Sequence, residues 1–178
     1  MSNSKTERFQ TVGTILALMI SIIAMVTSIY EANIMKSQQK SMVWPYLDVS
    51  DQYNKEGFGI QIMNKGTGPA IIKSVQIDYK DNAVSNIMEL MDSLNPKRTF
   101  GYNIMTNNSI NHQVFSAGET KIMFHLPYND ETKVVLENKK YVRMRIAYES
   151  VLGEEWVFDS NDGSHQKMKF KSEKEFKN

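Results

Sequence analysis

The chain has no cysteine in 178 residues. That excludes a disulfide framework, thiolate zinc sites, iron–sulfur clusters and a cysteine nucleophile. It leaves the compartment open, because a cysteine-free domain folds in reducing and oxidising surroundings alike. An excess of one charge is also missing. Twenty-one Lys and Arg face 20 Asp and Glu, for a formal net charge of +1. No global field draws the protein to nucleic acid or to acidic substrates. Histidine is scarce, with three in all. His112, His125 and His165 fall in different segments, and no pair has the H-x-x-x-H spacing of a helical metal site. There is no G-x-S-x-G nucleophile elbow. Carboxylates such as Asp48, Asp51, Asp78 and Asp81 are scattered around strands as solvated residues are. The 12 methionines are too dispersed to be a metal cluster. No cofactor, metal or catalytic set is expected, and the chain is read as non-enzymatic.

One stretch lacks charge altogether. From Phe9 to Tyr30 the sequence reads FQTVGTILALMISIIAMVTSIY. As a helix this run is roughly 30 Å long, the hydrocarbon thickness of a bilayer. A cleaved signal peptide has a shorter apolar core and a small-residue cleavage site, and TSIYEAN is a poor one. A core helix of a small domain is seldom apolar all round. A transmembrane anchor is therefore expected. Lys5, Arg8 and the α-amino group precede it, and Lys36 and Lys40 follow. That one-charge margin, with the short N-terminal tail, favours an extracytoplasmic C-terminal domain.

After the anchor, EANIMKSQQKSMV reads as a helical continuation or a stalk, which Pro45 ends. Tyr30 and Trp44 are the candidate membrane-interface residues. Tyr46 is read instead as opening the first strand, the alternative that also stands for Trp44. The expected organisation is a tail over 1–8, a transmembrane helix over 9–30, a stalk over 31–44, a β domain over 45–164 and a basic tail over 165–178.

Within the β domain the apolar residues alternate with a period of two, the mark of half-buried antiparallel strands. Phe58, Ile60 and Ile62 share a face. So do Ile71, Val75, Ile77 and Tyr79, then Ile122, Phe124 and Leu126 with Lys121, Met123 and His125 opposite. Val142, Met144, Ile146 and Tyr148 oppose Arg143 and Arg145, and Trp156 pairs in face with Phe158. Gly153 and Gly118 mark turns. One inserted helix is expected in SNIMELMDSLNP, with Ile87, Leu90, Met91 and Leu94 on one side, an Asn86 cap supported by Glu89, and a stop at Asn95–Pro96. A weaker helical turn follows Asp130. Gly101 to Gln113 reads as a loop. KMKFK reads as a charged edge strand, and the rest of the tail as disordered. The fold class is mainly β: an N-terminal transmembrane helix, then an antiparallel immunoglobulin-like β-sandwich. Tyr141 is the candidate tyrosine-corner residue of such a domain.

NKGTGPAIIKSV, Asn64 to Val75, has the look of a phosphate loop. A P-loop requires its Lys after the second glycine. Here Lys65 precedes both Gly66 and Gly68, and β-branched residues follow. A dinucleotide loop requires a third glycine where Ile71 stands. The stretch is read as a turn in which the two glycines supply unusual φ values and Ile71 begins a buried face. DSNDGS, Asp159 to Ser164, has Gly163 one place early for a calcium loop and is read as a turn. Arg143, Arg145 and His125 form a candidate cationic stripe for an anion or a partner.

WPYLDV, NKGTGPAIIKSV and IAYESVLGEEW together resemble uncharacterised bacterial single-pass membrane proteins with an immunoglobulin-like β-sandwich domain, over most of the chain from about Val12 to Phe158. The resemblance implies an accessory protein of the bacterial inner membrane and no particular activity. The expected function is a membrane-anchored interaction module. Its partners would be the lipid bilayer and a protein or a second copy, with no nucleic acid. The alternative is a membrane effector or sensor whose β domain binds a small anionic ligand.

Overall fold

The structure, a computed structural model, describes residues 3–170 and 174–176. The chain divides into two compact units, one ending at Ser41 and the other starting at Met42.

The first unit is carried by helix α1 (Asn3–Met42). Its 40 residues rise about 60 Å, twice the hydrocarbon thickness. The helix runs through the expected stalk because Glu31 to Met42 holds good helix formers and no Gly or Pro. The apolar side chains of the charge-free run stay exposed: Leu18 at 61%, Ile20 and Ile23 at 66%, Met25 at 60%. This one helix is long and apolar enough to cross a membrane. Several of its hydroxyls bond back along the helix. Thr14 Oγ1 donates to the Gln10 carbonyl at 2.9 Å, Ser21 Oγ to Ala17 at 2.8 Å and Thr27 Oγ1 to Ile23 at 3.0 Å. Each of these hydroxyls satisfies itself against the preceding turn.

Among the described residues, the second unit holds ten strands and two short α-helices. They are β1 (Leu47–Asn54), β2 (Gly57–Asn64), β3 (Ala70–Tyr79), β4 (Asn82–Val84), α2 (Ile87–Leu94), β5 (Thr106–Asn107), β6 (Val114–Phe115), β7 (Thr120–Leu126), α3 (Lys133–Asn138), β8 (Val142–Glu149), β9 (Glu155–Asp159) and β10 (Ser164–Gln166). One sheet has the order β1-β2-β7-β5. The other has the order β10-β9-β8-β3-β4, with β6 also on β3. Every pairing is antiparallel. Both sheets contribute to one buried cluster: Phe58, Ile62 and Phe124 from the first, Val75, Ile77, Ile146 and Tyr148 from the second.

Most strand faces are as the alternation predicts, and two are corrected by bulges. In β3, Ile72 lies opposite Tyr148 and Ser74 opposite Ala147, so Lys73 is an extra residue. The parity changes there. Ile72, at 2% exposure, shares the buried face with Val75, and Ile71 does not. In β7, Phe124 opposes Ile60 and Ile122 opposes Gln61, leaving Met123 as the insertion. Met123 is fully buried, against the expectation that it faces outward.

Helix α2 buries Ile87, Leu90, Met91 and Leu94 as expected. Asn86 Oδ1 accepts from the Glu89 amide at 2.9 Å. Glu89 answers at the Ser85 amide, 2.6 Å, one residue before the cap. That backbone hydrogen bond, against partial desolvation, lowers the Glu89 pKa. A second inserted helix, α3, forms where the weaker helical turn was expected.

The C-terminal segment departs from expectation. Residues 167–170, the described part of KMKFK, do not form the edge strand; β10 does, and it ends at Gln166. Phe176 is fully buried in the core and its amide donates to the Val75 carbonyl at 2.8 Å. Val75 lies on the edge of β3 between the residues that pair with β6 and those that pair with β4. Phe176 thus fills a gap in that edge. Residues 171–173 and 177–178, part of the expected disordered tail, lie outside the described residues.

Candidate functional site

Strand β8 presents Arg143 and Arg145 on the face opposite Met144 and Ile146, as the alternation requires. Arg145 stands across from Gln76 and Asp159, and Arg143 across from Asp78. The ion pairs run diagonally. Arg145 Nη2 donates to Asp78 Oδ2 at 2.9 Å, and Arg143 donates from Nε and Nη2 to Asp159. Gln76 Nε2 completes the layer with a 3.0 Å bond to Asp78 Oδ1. Gln76 and Asp78 are 1% and 6% exposed. The Arg143 guanidinium holds the Asp159 carboxyl below its ordinary range, and Asp159 raises Arg143 in turn. The Phe170 ring lies 5.4 Å from the Arg145 guanidinium carbon.

This arrangement corrects the expected cationic stripe. The two arginines are already neutralised by carboxylates. His125 lies in β7 of the other sheet, across from Gly59 and Thr106, so it does not join them. Its Nε2 is buried with no hydrogen-bond partner among the described residues. No group of three His, Asp or Glu among the described residues is placed to hold a metal ion.

The NKGTG stretch has a different role from the one its glycines suggested. Neither Gly66 nor Gly68 has a positive φ. Both are needed for close approach. A Cβ on Gly66 would lie 2.3 Å from the Trp44 carbonyl oxygen, and one on Gly68 2.3 Å from the Val43 carbonyl. The Lys65 amide donates to the Tyr46 carbonyl at 2.7 Å and the Thr67 amide to Trp44 at 2.9 Å. Asn64, fully buried, is the centre of this clamp. Its Oδ1 accepts from the amides of Tyr46 at 3.1 Å and Gly66 at 3.0 Å. Its Nδ2 donates to the carbonyls of Gly68, Phe115 and Ser116 at 2.8, 3.0 and 3.2 Å. Lys65 turns outward to Asp48, 2.8 Å away, and that pair raises the lysine pKa. The stretch is a clamp on Val43 to Tyr46, the segment that leads into β1.

Beside the clamp stands a residue that sequence reading assigned to the basic tail. His165 in β10 stacks on Tyr46 with ring centroids 4.0 Å apart. Its Nδ1 is 2.9 Å from the Tyr148 hydroxyl. Burial raises the Tyr148 pKa, so the phenol keeps its proton. Burial also lowers the His165 pKa, with Asp48 pulling weakly the other way. The signal for His165 was its cross-strand position opposite Phe158, which the short Asp159–Ser164 turn fixes. Gly163 in that turn has φ +67°.

The candidate interface residues separate. Tyr30 is 67% exposed on α1. Met42 lies about 18 Å farther along the same helix. Trp44 packs edge-on against Tyr46 at 5.3 Å, its carbonyl held by the clamp. Tyr141 is exposed and stands edge-on to Tyr79 at 6.3 Å, so it is not a buried corner residue.

No curated protein and no solved structure matches the chain. A family model does, from residue 10 inside α1 to residue 171 beyond β10. Helix and sheets thus fall within one family unit, and the chain belongs to the family described as Domain of unknown function (DUF8453).

Proposed function

We propose that the protein is a membrane-anchored interaction module without catalytic activity. Its α1 spans the bacterial inner membrane once, and its β domain meets a protein partner or a second copy on the extracytoplasmic side. The observation that carries this reading is the family match, which takes in the apolar helix together with the sheets. An anchor that belongs to the family unit argues that the β domain works beside a membrane.

The β domain is further read as an immunoglobulin-like sandwich. The order β1-β2-β7-β5 corresponds to A-B-E-D, and β9-β8-β3-β4 to G-F-C-C′. In this topology recognition falls to loops and edges. The polar layer on β8 supports that, since Arg145, Asp78 and Gln76 are bonded to one another. The hairpin between β8 and β9 has an apolar tip, Val151 and Leu152, each 51% exposed.

The test places a photo-crosslinking residue at Leu152 of the full chain in native membranes. One discrete adduct, of a partner protein or of the chain itself, supports the reading. A smear, or no protein adduct, counts against it. A reporter fused after Asn178 reads the side: activity confined to a cytoplasmic reporter reverses the assigned orientation.

A further inference from the structure

Two adjoining clefts open where the middle of β1 and the start of β8 approach each other. The larger, about 370 Å³, is bordered by Val49, Ile60, Val142 and Met144, with Ser50 and Ser160 among its polar residues. The smaller, about 260 Å³, is bordered by Lys80, Asp81, Lys140, Tyr141 and Arg143. Lys140 and Val142 belong to both. An apolar floor beside a few convergent polar groups is the usual form of a small-ligand site.

The charges of the smaller cleft gather around one ring. Lys65, Lys73, Lys121, Lys139, Lys167 and Lys174 each have a carboxylate within 3.4 Å. Lys80 and Lys140 have no such carboxylate among the described residues, and neither do Lys55, Lys97, Lys133 and Lys169; the two differ in sharing one ring. Their ammonium groups converge at 4.8 and 5.0 Å from the Tyr141 centroid. Both cations thus border one cleft, where an anion meets them within a short Coulombic distance. The backbone holds Lys80 there. Lys80 and Asp81 form the two-residue turn between β3 and β4, with φ of +48° and +65°. Such a turn favours Asn and Gly, so a lysine in it is a costly choice. Arg143 uses Nε and Nη2 for Asp159, which leaves Nη1 outside that pair. Asp81 borders the same cleft and limits the positive excess, so the site suits one anionic group, not a polyanion.

We propose that these clefts bind a phosphomonoester on a small apolar or aromatic body. Lys80 and Lys140 receive the phosphate with Arg143 beside it, and the body lies on Val49, Ile60, Val142 and Met144. This goes beyond the module reading and stands or falls separately from it. It also replaces the Arg143, Arg145 and His125 stripe as the place where the β domain meets an anion.

The experiment uses the full chain in uncharged detergent micelles and measures binding by calorimetry. The probes are phenyl phosphate, inorganic phosphate, phenol and dihexanoyl phosphatidic acid. Phenyl phosphate or the short-chain lipid binds saturably, at least tenfold more tightly than inorganic phosphate. The preferred one identifies a soluble or a lipid source. The Lys80→Gln/Lys140→Gln variant, checked for an unchanged melting temperature, loses at least tenfold. Lys73→Gln, at the bulge of β3 and outside both clefts, binds as the parent does. No saturable binding by either ester, equal binding of inorganic phosphate, or full affinity in the double-Gln variant would overturn the proposal.

Discussion

Asn64 donates through Nδ2 to the carbonyl of Phe115, 51 residues later, at 3.0 Å. The same amide serves Gly68 and Ser116, and its oxygen receives Tyr46 and Gly66. Three stretches of chain meet on one buried side chain. Its oxygen only accepts and its nitrogen only donates, so no other residue of this size satisfies both sets. Asn64→Asp turns the donor toward three carbonyls into an acceptor, and Asn64→Ala leaves five backbone groups without it. Each variant is expected to lose about 3 kcal/mol in urea unfolding of the full chain in micelles. A loss below about 1 kcal/mol would mean that the clamp is not a centre of stability.

The diagonal ion pairs make a second prediction. Asp78 is nearly buried and depends on Arg145 and Gln76. Arg145→Met alone strands that carboxylate and costs about 3 kcal/mol, whereas Asp78→Leu with Arg145→Met costs far less, because an apolar pair needs no partner. A double-mutant cycle measures the coupling. Additive single effects would show that the pair acts as two independent surface charges.

Phe176 tests the C-terminal segment. A fully buried phenylalanine truncated to alanine loses about 3 kcal/mol or more. Phe176→Ala should therefore lower the melting temperature and speed amide exchange at Val75 and its neighbours in β3. If the tail were an unattached appendage, neither quantity would move.

His165 gives the pH dependence. Its folded pKa is lowered by burial, so between that value and the ordinary one near 6.5 the unfolded chain binds more protons. Stability is then fully present above about pH 6.5 and falls as pH drops through the folded pKa. His165→Phe keeps the stacking on Tyr46 and removes the titration. Its stability curve should be flatter than the parent's below pH 6.5, and coincident curves would remove His165 from the account.

The sequence made the period-two strands, the α2 stripe and its Asn86 cap legible, because each depends on neighbours within a few residues. The bulges at Lys73 and Met123 escaped, since an inserted residue is set by register across strands. Gly66 and Gly68 were recognised as special for the wrong reason: the cause is the backbone of Val43 to Tyr46 lying against them. Arg143 and Arg145 were placed on the right face. Their neutralisation was hidden because Asp159 is 16 residues from Arg143 and Asp78 is 67 from Arg145. Phe176 was lost in a lysine-rich tail whose composition resembles that of a disordered end. The convergence of Lys80 and Lys140 on Tyr141 joins a hairpin turn to the start of β8, and no local pattern announces it.

The central claim is that α1 anchors the β domain in a bilayer, and alkaline carbonate extraction of membranes tests it most directly. The full chain should stay in the membrane pellet, while a chain lacking residues 9–30 should leave it. Release of the full chain into the supernatant would contradict the account.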